Sequence, residues 1–440
     1  MAQVRKTVRK QARTRTQPIK KRTQAPRTAK QKPPIKKQIQ KSSPAKVKRE
    51  RMARPKGGLR WTRAGARGLD RMLLLDIIIL VVFGVIMVFS ASAPAASAYQ
   101  DNPYYYIIRQ AIFAALGFAA MWVLSYFDYH NFEKFAFLIL AGSFLLLFAV
   151  YIPGIGQVRN NARRWINIGI STLQPSEVVK IAIIIYFSYS LSLIKDKIKE
   201  FRGGLLRYLV ILGLFSIVLL KEPHLSATLV ICAVGCVLLL IAGAKLSHVI
   251  ALGACALPLL AFMIYKQPYQ LERVTTFLNP FADKSDAGFQ VVNSLYAIGS
   301  GGIFGLGLGM SRQKFLYLPE PQNDFIFAII CEELGWFGAA LVLILFGILI
   351  WKGYRIAQEA PDMFGTLLAA GITSLVALQV AINVAVVTSS VPVTGMALPF
   401  FSYGGTSLFI LLSCMGILLN ISRQTMTTIR PPESGISKKL

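Results

Sequence analysis

Apolar blocks about 20 residues long recur between residues 72 and 421, and each is long enough to cross the hydrocarbon core of a bilayer. This constrains the fold more than any other feature. A segment in lipid has no water to satisfy its backbone polar groups, so it must close its own hydrogen bonds as a helix. Spans are expected near 72–93, 105–125, 134–153, 176–194, 205–220, 225–243, 247–265, 324–351, 363–389 and 401–421. The expected fold is an all-α integral membrane protein of about ten transmembrane helices, with a large loop, 266–323, between spans seven and eight. The composition, 54% hydrophobic with mean hydropathy +0.52, suits no soluble domain of this length.

Charge is concentrated at one end. Of the 49 Lys and Arg, 25 lie in residues 1–71, opposed only by Glu50 and Asp70, so the rest of the chain carries about +6 of the net +29. Residues 1–70 read as a basic, disordered cytoplasmic tail that cannot bury enough apolar surface to fold. It is either a topogenic segment drawn to anionic lipid or a docking arm for a cytoplasmic partner. It lacks the pattern of a secretory signal, and its charge does not imply a nucleic-acid partner. Residues 71–425 form the membrane domain and 426–440 a short cytoplasmic tail. With the basic tail inside, an even number of spans returns the C-terminus to the same side. The basic 195–207 loop then also lies inside, as the positive-inside rule expects.

Two segments on the outer side break that rule. Loop 154–175 carries Arg159, Arg163 and Arg164 and no acid. Extracytoplasmic loop 266–323 carries Lys266, Arg273, Lys284, Arg312 and Lys314 against Glu272, Asp283, Asp286 and Glu320. Its Phe277, Phe281, Phe289, Tyr296 and Phe304 suggest that it packs back on the membrane domain. A positive outer vestibule suits an anionic ligand, phosphate above all, although lipid headgroups are an equal match for charge alone.

The stretch "EPQNDFIFAIICEEL", 320–334, places Glu320, Asp324, Glu332 and Glu333 in or beside a span, where ionisable groups are costly and need partners. Asp324 falls at the outer end of the eighth span, placed either as a helix N-cap or as a general base at a water–lipid boundary. Glu332 and Glu333 lie roughly 12–14 Å deeper. They are expected to hold spans together, with Lys180 as a candidate partner. In "RRWINIGISTLQPSEVVK", 163–180, Pro175 suits a helix start and Ser176 a cap. Glu177 and Lys180 share a helix face. They form either a self-neutralising pair or the charged floor of a site whose lid carries Arg163, Arg164 and Trp165. Gly301, Gly302, Gly305, Gly307 and Gly309 invite a dinucleotide-binding reading, but no βαβ unit surrounds them, and close packing or a re-entrant turn is expected instead. Segment 389–407 breaks helix, and Tyr403-Gly404-Gly405-Thr406-Ser407 could close a cavity wall. The five cysteines lie in apolar blocks and the three histidines are scattered, so a Cys/His metal site is not expected.

"RRWINIGISTLQPSEVVK", "QKFLYLPEPQNDFIFAIICEELG" and "PVTGMALPFFSYGGTSLFILLSCMGILLNISR" together resemble the SEDS (shape, elongation, division and sporulation) family. The last stretch is closer to its FtsW/SpoVE branch than to RodA. The resemblance covers about residues 72–425. It implies a peptidoglycan glycosyltransferase that polymerises lipid II, an undecaprenyl-pyrophosphate-linked disaccharide-pentapeptide, at the outer face of the bacterial cytoplasmic membrane. Work with a class B penicillin-binding protein and other divisome proteins in cell division, and use of a divalent cation (Mg or Mn), are implied as well. The family's catalytic Asp falls on Asp324, its loop Trp on Trp165, its Gln-Pro-Ser-Glu segment on Gln174 to Glu177 and its buried Lys on Lys180. Arg163, Arg164, Trp165, Gln313, Lys314 and Glu320 are the expected substrate contacts; no metal ligand is assigned. Two positions depart from the family pattern. His224 stands where Asp is usual, and Asn323 stands where Thr is common. A lipid II flippase and a non-catalytic divisome scaffold are the rival readings.

Overall fold

Asp70 opens the first helix by accepting hydrogen bonds from the amides of Met72 and Leu73, both at 3.1 Å. Its carboxylate also takes Lys352 Nζ at 3.1 Å, so one side chain caps a helix and ties it to a distant one. The computed structural model describes residues 68–428 apart from 160–161, 168, 170–171, 267, 282–286 and 316. The expected basic tail, except for its last three residues, and most of the C-terminal tail lie outside the described residues.

In chain order the elements are α1 (Arg71–Gln100), α2 (Tyr105–Tyr126), α3 (Asn131–Ala149), β1 (Gly156–Arg159), β2 (Ala162–Asn167), β3 (Thr172–Leu173) and α4 (Pro175–Ile194). They continue with α5 (Leu206–Lys221), α6 (Leu225–Ile241), α7 (Leu246–Lys266), α8 (Pro268–Leu278), α9 (Ala287–Gly301), α10 (Ile326–Glu359), α11 (Met363–Val387) and α12 (Gly405–Thr428). Among the described residues, 8 helices are long and apolar enough to cross a membrane. They are α1 to α4, α5 with the turn before it, and α10 to α12. The chain is thus a multi-pass membrane protein. At the two remaining expected spans stand α6, with 17 residues, and α7, with 21 residues and Pro258 inside. The 17 residues of α6 are at the lower limit of a perpendicular crossing.

The two segments expected as loops are built. Segment 154–175 forms a three-stranded antiparallel sheet in the order β1-β2-β3, a small exception to an all-α fold. The 266–323 segment holds α8 and α9, and α9 packs along α10. α11 and α12 are the most enclosed helices, whereas α2 and α3 show large apolar side chains outward, among them Ile112, Leu116, Trp122, Phe137 and Leu145. Lipid is the medium that suits such faces. α2 and α12 lie close because Gly117 and Gly416 leave room for Leu412 and the Met121 backbone.

The glycine-rich stretch serves the close packing expected of it: a Cβ at Gly301 or Gly305 would collide with the backbone of Cys331 or Glu333. Leu306 and Gly307 donate backbone hydrogen bonds to the carbonyls of Glu332 and Glu333 (3.0 and 2.9 Å), and Trp336 donates to Gly302 O (2.9 Å). This clamp is possible because α10 kinks at Gly335, with φ 66° and ψ −162°, a conformation open to glycine. The freed carbonyls are taken up by the neighbouring loop.

Candidate functional site

The sheet, the turn before α10 and the 394–407 segment surround a cavity of about 820 Å³ at one end of the bundle. Its wall carries Asp324, Glu320, Glu177 and four cations, Arg109, Arg164, Lys180 and Arg273. Trp165 and Asn167, alternate residues of β2, face into it, while Ile166 between them is buried.

Asp324 is held by its backbone. The carbonyls of Gln322, Asn323 and Asp324 accept from Tyr403 N (2.8 Å), Ser402 Oγ (2.5 Å) and Asn383 Nδ2 (2.8 Å) respectively. Asn383 also donates to Met396 O at 2.6 Å, so α11 fixes both sides of the cavity mouth. Gly395, at φ 71°, lies behind the carboxylate, and a Cβ there would stand 3.2 Å from Asp324 Oδ2. Helix α10 begins after Phe325 without a side-chain cap, so Asp324 is not the N-cap that its position allowed. It lies in the turn before the span. Burial pushes its carboxyl up to about 6; Arg273 and Arg164 pull it down, and Glu320 pushes it further up.

The other sequence-derived residues divide into three sets. Glu177 and Lys180 form a pair at 2.7 Å on the cavity wall, with Ser407 Oγ 3.3 Å from the other Glu177 oxygen. Arg164 lines the cavity, but its guanidinium also donates to the carbonyls of Glu222 (3.1 Å) and Pro223, anchoring the sheet to the α5–α6 turn. Arg163 is exposed on β2 outside the cavity wall. Lys314 and Gln313 are not on that wall either. Lys314 Nζ is buried against Glu333 Oε1 at 2.8 Å, and the Gln313 amide faces Glu332 Oε2 at 3.4 Å. Glu332 also accepts from Ser311 Oγ (2.5 Å) and Arg312 N (2.9 Å). Lys180 is therefore not the partner of Glu332 or Glu333, because its charge is spent on Glu177 within its own helix.

Sequence reading missed Arg109, Gln322 and Asn383. Only nearness in space identifies Arg109 and Asn383, whereas Gln322 stands two residues before Asp324 and is marked by its buried, unpartnered oxygen. It noted His224 only as a departure. His224 lines the cavity with its Nε2 3.3 Å from Gln174 Nε2, and burial, with help from Arg164 and Lys180, lowers it to about 3. It is a neutral group. Beside it, burial raises Glu222 to about 8, with Arg164 opposing.

Among the described residues no group of three or more His, Cys, Asp or Glu is placed to hold a metal. The turn before α10 nonetheless offers hard oxygen donors. Asn323 Nδ2 donates to Glu320 Oε2 (2.8 Å), while Asn323 Oδ1 and Gln322 Oε1 are buried with no partner among the described residues. Together with the Glu320 carboxylate these are oxygen donors of the type that Mg²⁺ or Mn²⁺ accepts.

Residues 70–427 match the profile of a family described as cell cycle protein, which groups FtsW, RodA and SpoVE. The chain is 44% identical over 354 residues to Stage V sporulation protein E of Bacillus subtilis (strain 168), covering 80% of this chain and 97% of that protein. It is 42% identical over 355 residues to a probable peptidoglycan glycosyltransferase FtsW of Geobacter sp. (strain M18), covering 81% of this chain and 97% of that one. A chain of a peptidoglycan synthase complex that coordinates polymerization and crosslinking shares the fold at TM-score 0.67 and 24% identity, covering 82% of this chain and 99% of that chain. The Rod shape determining protein RodA of Thermus thermophilus shares it at TM-score 0.60 and 24% identity, covering 81% and 97%.

Proposed function

Because this chain belongs to the FtsW/RodA/SpoVE family of cell cycle proteins, we propose that it is a peptidoglycan glycosyltransferase that polymerises lipid II. The observation that carries this reading is Asp324. It is a carboxylate held by three backbone anchors at the mouth of a polar cavity, in a bundle otherwise built for lipid. Its carboxyl, raised to about 6, is ionised at neutral pH yet basic enough to take a proton in the transition state. Asp324 accepts the proton of the acceptor sugar 4-hydroxyl as that oxygen attacks the donor anomeric carbon. The glycosidic bond forms with inversion, and the bond to undecaprenyl diphosphate breaks. Arg273 and Arg164, which already act on Asp324, supply positive potential for the leaving diphosphate. Trp165 offers a sugar face on the sheet side. Lipid anchoring of both reactants restricts their encounter to this mouth.

A divalent cation belongs to this reading: Glu320, Gln322 and Asn323 would hold it together with the substrate diphosphate, leaving Asp324 free as the base. When bound it neutralises charge on the leaving diphosphate. Lys314, Arg163 and Gln313 are not given a diphosphate role in this reading, since they are not on the cavity wall. The orientation follows from the chemistry and from the basic tail. The cavity faces outside and both termini lie in the cytoplasm, with a class B penicillin-binding protein and other divisome proteins as partners.

The test is polymerisation of labelled lipid II by the purified full-length protein with its transpeptidase partner. Wild type should yield glycan chains and Asp324→Asn none, although Asp324→Asn still inserts and binds the partner. Normal polymerisation by Asp324→Asn would sink the assignment. Failure of wild type to polymerise while it moves lipid II across vesicles would make it a transporter.

A further inference from the structure

One part of the cavity wall is left unused by that mechanism. The first two turns of α2 present Tyr105, Tyr106 and Arg109, and the 402–404 segment presents Tyr403. Tyr105 and Tyr106 meet edge to face at 5.1 Å between ring centroids, and Tyr106 meets Tyr403 at 4.9 Å. The Arg109 guanidinium lies 4.2 Å from the Tyr105 ring centre. The patch is rigidly joined to the catalytic turn. Gln110, fully buried, donates to Ser402 O (3.3 Å) and accepts from Gly404 N (3.2 Å), while Tyr403 N donates to Gln322 O (2.8 Å).

The cavity cations are not equivalent. Lys180 is taken by Glu177, Arg164 by the carbonyls of Glu222 and Pro223, and Arg273 donates to Val393 O at 2.9 Å. Arg109 has no carboxylate or carbonyl partner among the described residues and rests only on an aromatic ring. A guanidinium stacked in this way keeps its donor fork free for a planar or tetrahedral anion. Tyrosine rings beside it offer faces to sugar C–H groups and hydroxyls to sugar hydroxyls. Glycan polymerisation needs two lipid-linked saccharides in place at once, each carrying a diphosphate, and the Asp324 end of the cavity accounts for only one.

We propose that Tyr105, Tyr106, Arg109 and Tyr403 form a second lipid-saccharide subsite, in which Arg109 binds a diphosphate and the tyrosines hold the attached sugars. The inference rests on the glycosyltransferase reading.

Binding of fluorescent lipid II to the full-length Asp324→Asn protein, in nanodiscs of zwitterionic phospholipid, tests it without turnover. Arg109→Gln should weaken binding about tenfold and Arg109→Lys should recover part of the loss, since lysine keeps the charge but not the fork. Undecaprenyl diphosphate without sugar should lose affinity in parallel, whereas Tyr403→Leu and Tyr106→Leu should weaken lipid II only. Unchanged lipid II affinity in Arg109→Gln overturns the subsite and leaves the functional reading standing. A loss confined to ligands with the peptide stem overturns it in favour of a stem carboxylate. Erasure of the difference by adding phosphatidylglycerol overturns it in favour of a lipid headgroup. Failure of every protein, Arg109 intact included, to bind lipid II overturns the functional reading and the subsite together.

Discussion

Lys314 Nζ and Glu333 Oε1 lie 2.8 Å apart with side chains 4% and 0% exposed, joining the loop before α10 to the interior of α10 itself. Ser90 of α1 donates to Glu333 Oε2 at 2.6 Å and accepts from Lys314 at 3.2 Å, so three segments meet at one buried charge pair. None of the three residues is on the wall of the cavity that carries Asp324.

Removing one partner should therefore cost more than removing both. Lys314→Ala leaves Glu333 buried without its counter-charge, a loss of about 3–5 kcal/mol. The double variant Lys314→Met/Glu333→Leu should recover most of it. Thermal unfolding in detergent for the two variants checks this, and equal losses would contradict it.

The pH dependence of polymerisation should follow Asp324. A base must be ionised, so the rate should rise through a pH of about 6 and level off above it. Glu320→Gln removes a neighbouring negative charge, lowers the Asp324 pKa and should move the rising limb toward acid. Arg273→Gln removes a positive charge, raises that pKa and should move the limb toward alkali. Shifts of both variants in one direction would show that another group sets the profile.

Gly395→Ala should impair catalysis more than folding. The new methyl would stand 3.2 Å from Asp324 Oδ2, on backbone at φ 71°. The strain costs about 1 kcal/mol, whereas displacing a base by a fraction of an ångström can lower kcat tenfold or more. Measuring kcat and the midpoint of thermal unfolding on the same preparation separates the two effects.

Glu222 should weaken the fold as pH rises. Its side chain is buried, and burial lifts its pKa to about 8, well above the ordinary value of 4.5. The folded protein thus holds this proton where the unfolded chain has lost it. The sign is opposite to that of a paired carboxylate. Stability is greatest below pH 4.5 as far as this group is concerned, and declines as pH rises toward 8. Glu222→Gln should raise the unfolding midpoint at pH 8 and leave it nearly unchanged at pH 4. An equal effect at both pH values would show that the side-chain shape matters and its charge does not.

The sequence by itself determined the membrane architecture, because the length of an apolar block and the cost of a bare backbone in lipid are local properties. It also singled out Asp324, Trp165, Glu177 and Lys180, through motifs contiguous in the chain. It could not say which charges meet. Lys180 pairs within its own helix, while Lys314, expected to touch substrate, is buried on Glu333. It gave no sign that loop 154–175 closes a sheet, and although it read the glycines of 301–309 as close-packing, it did not show that they clamp a kinked α10, because both depend on contacts with distant backbone. Arg109 of α2 and Tyr403 before α12 line one cavity, and Asn383 of α11 holds the Asp324 and Met396 carbonyls at its wall; only the packing of the bundle brings the three together. Membrane insertion is decided by each segment's own free energy, but a site is decided by which side chains remain unpaired after every helix has packed.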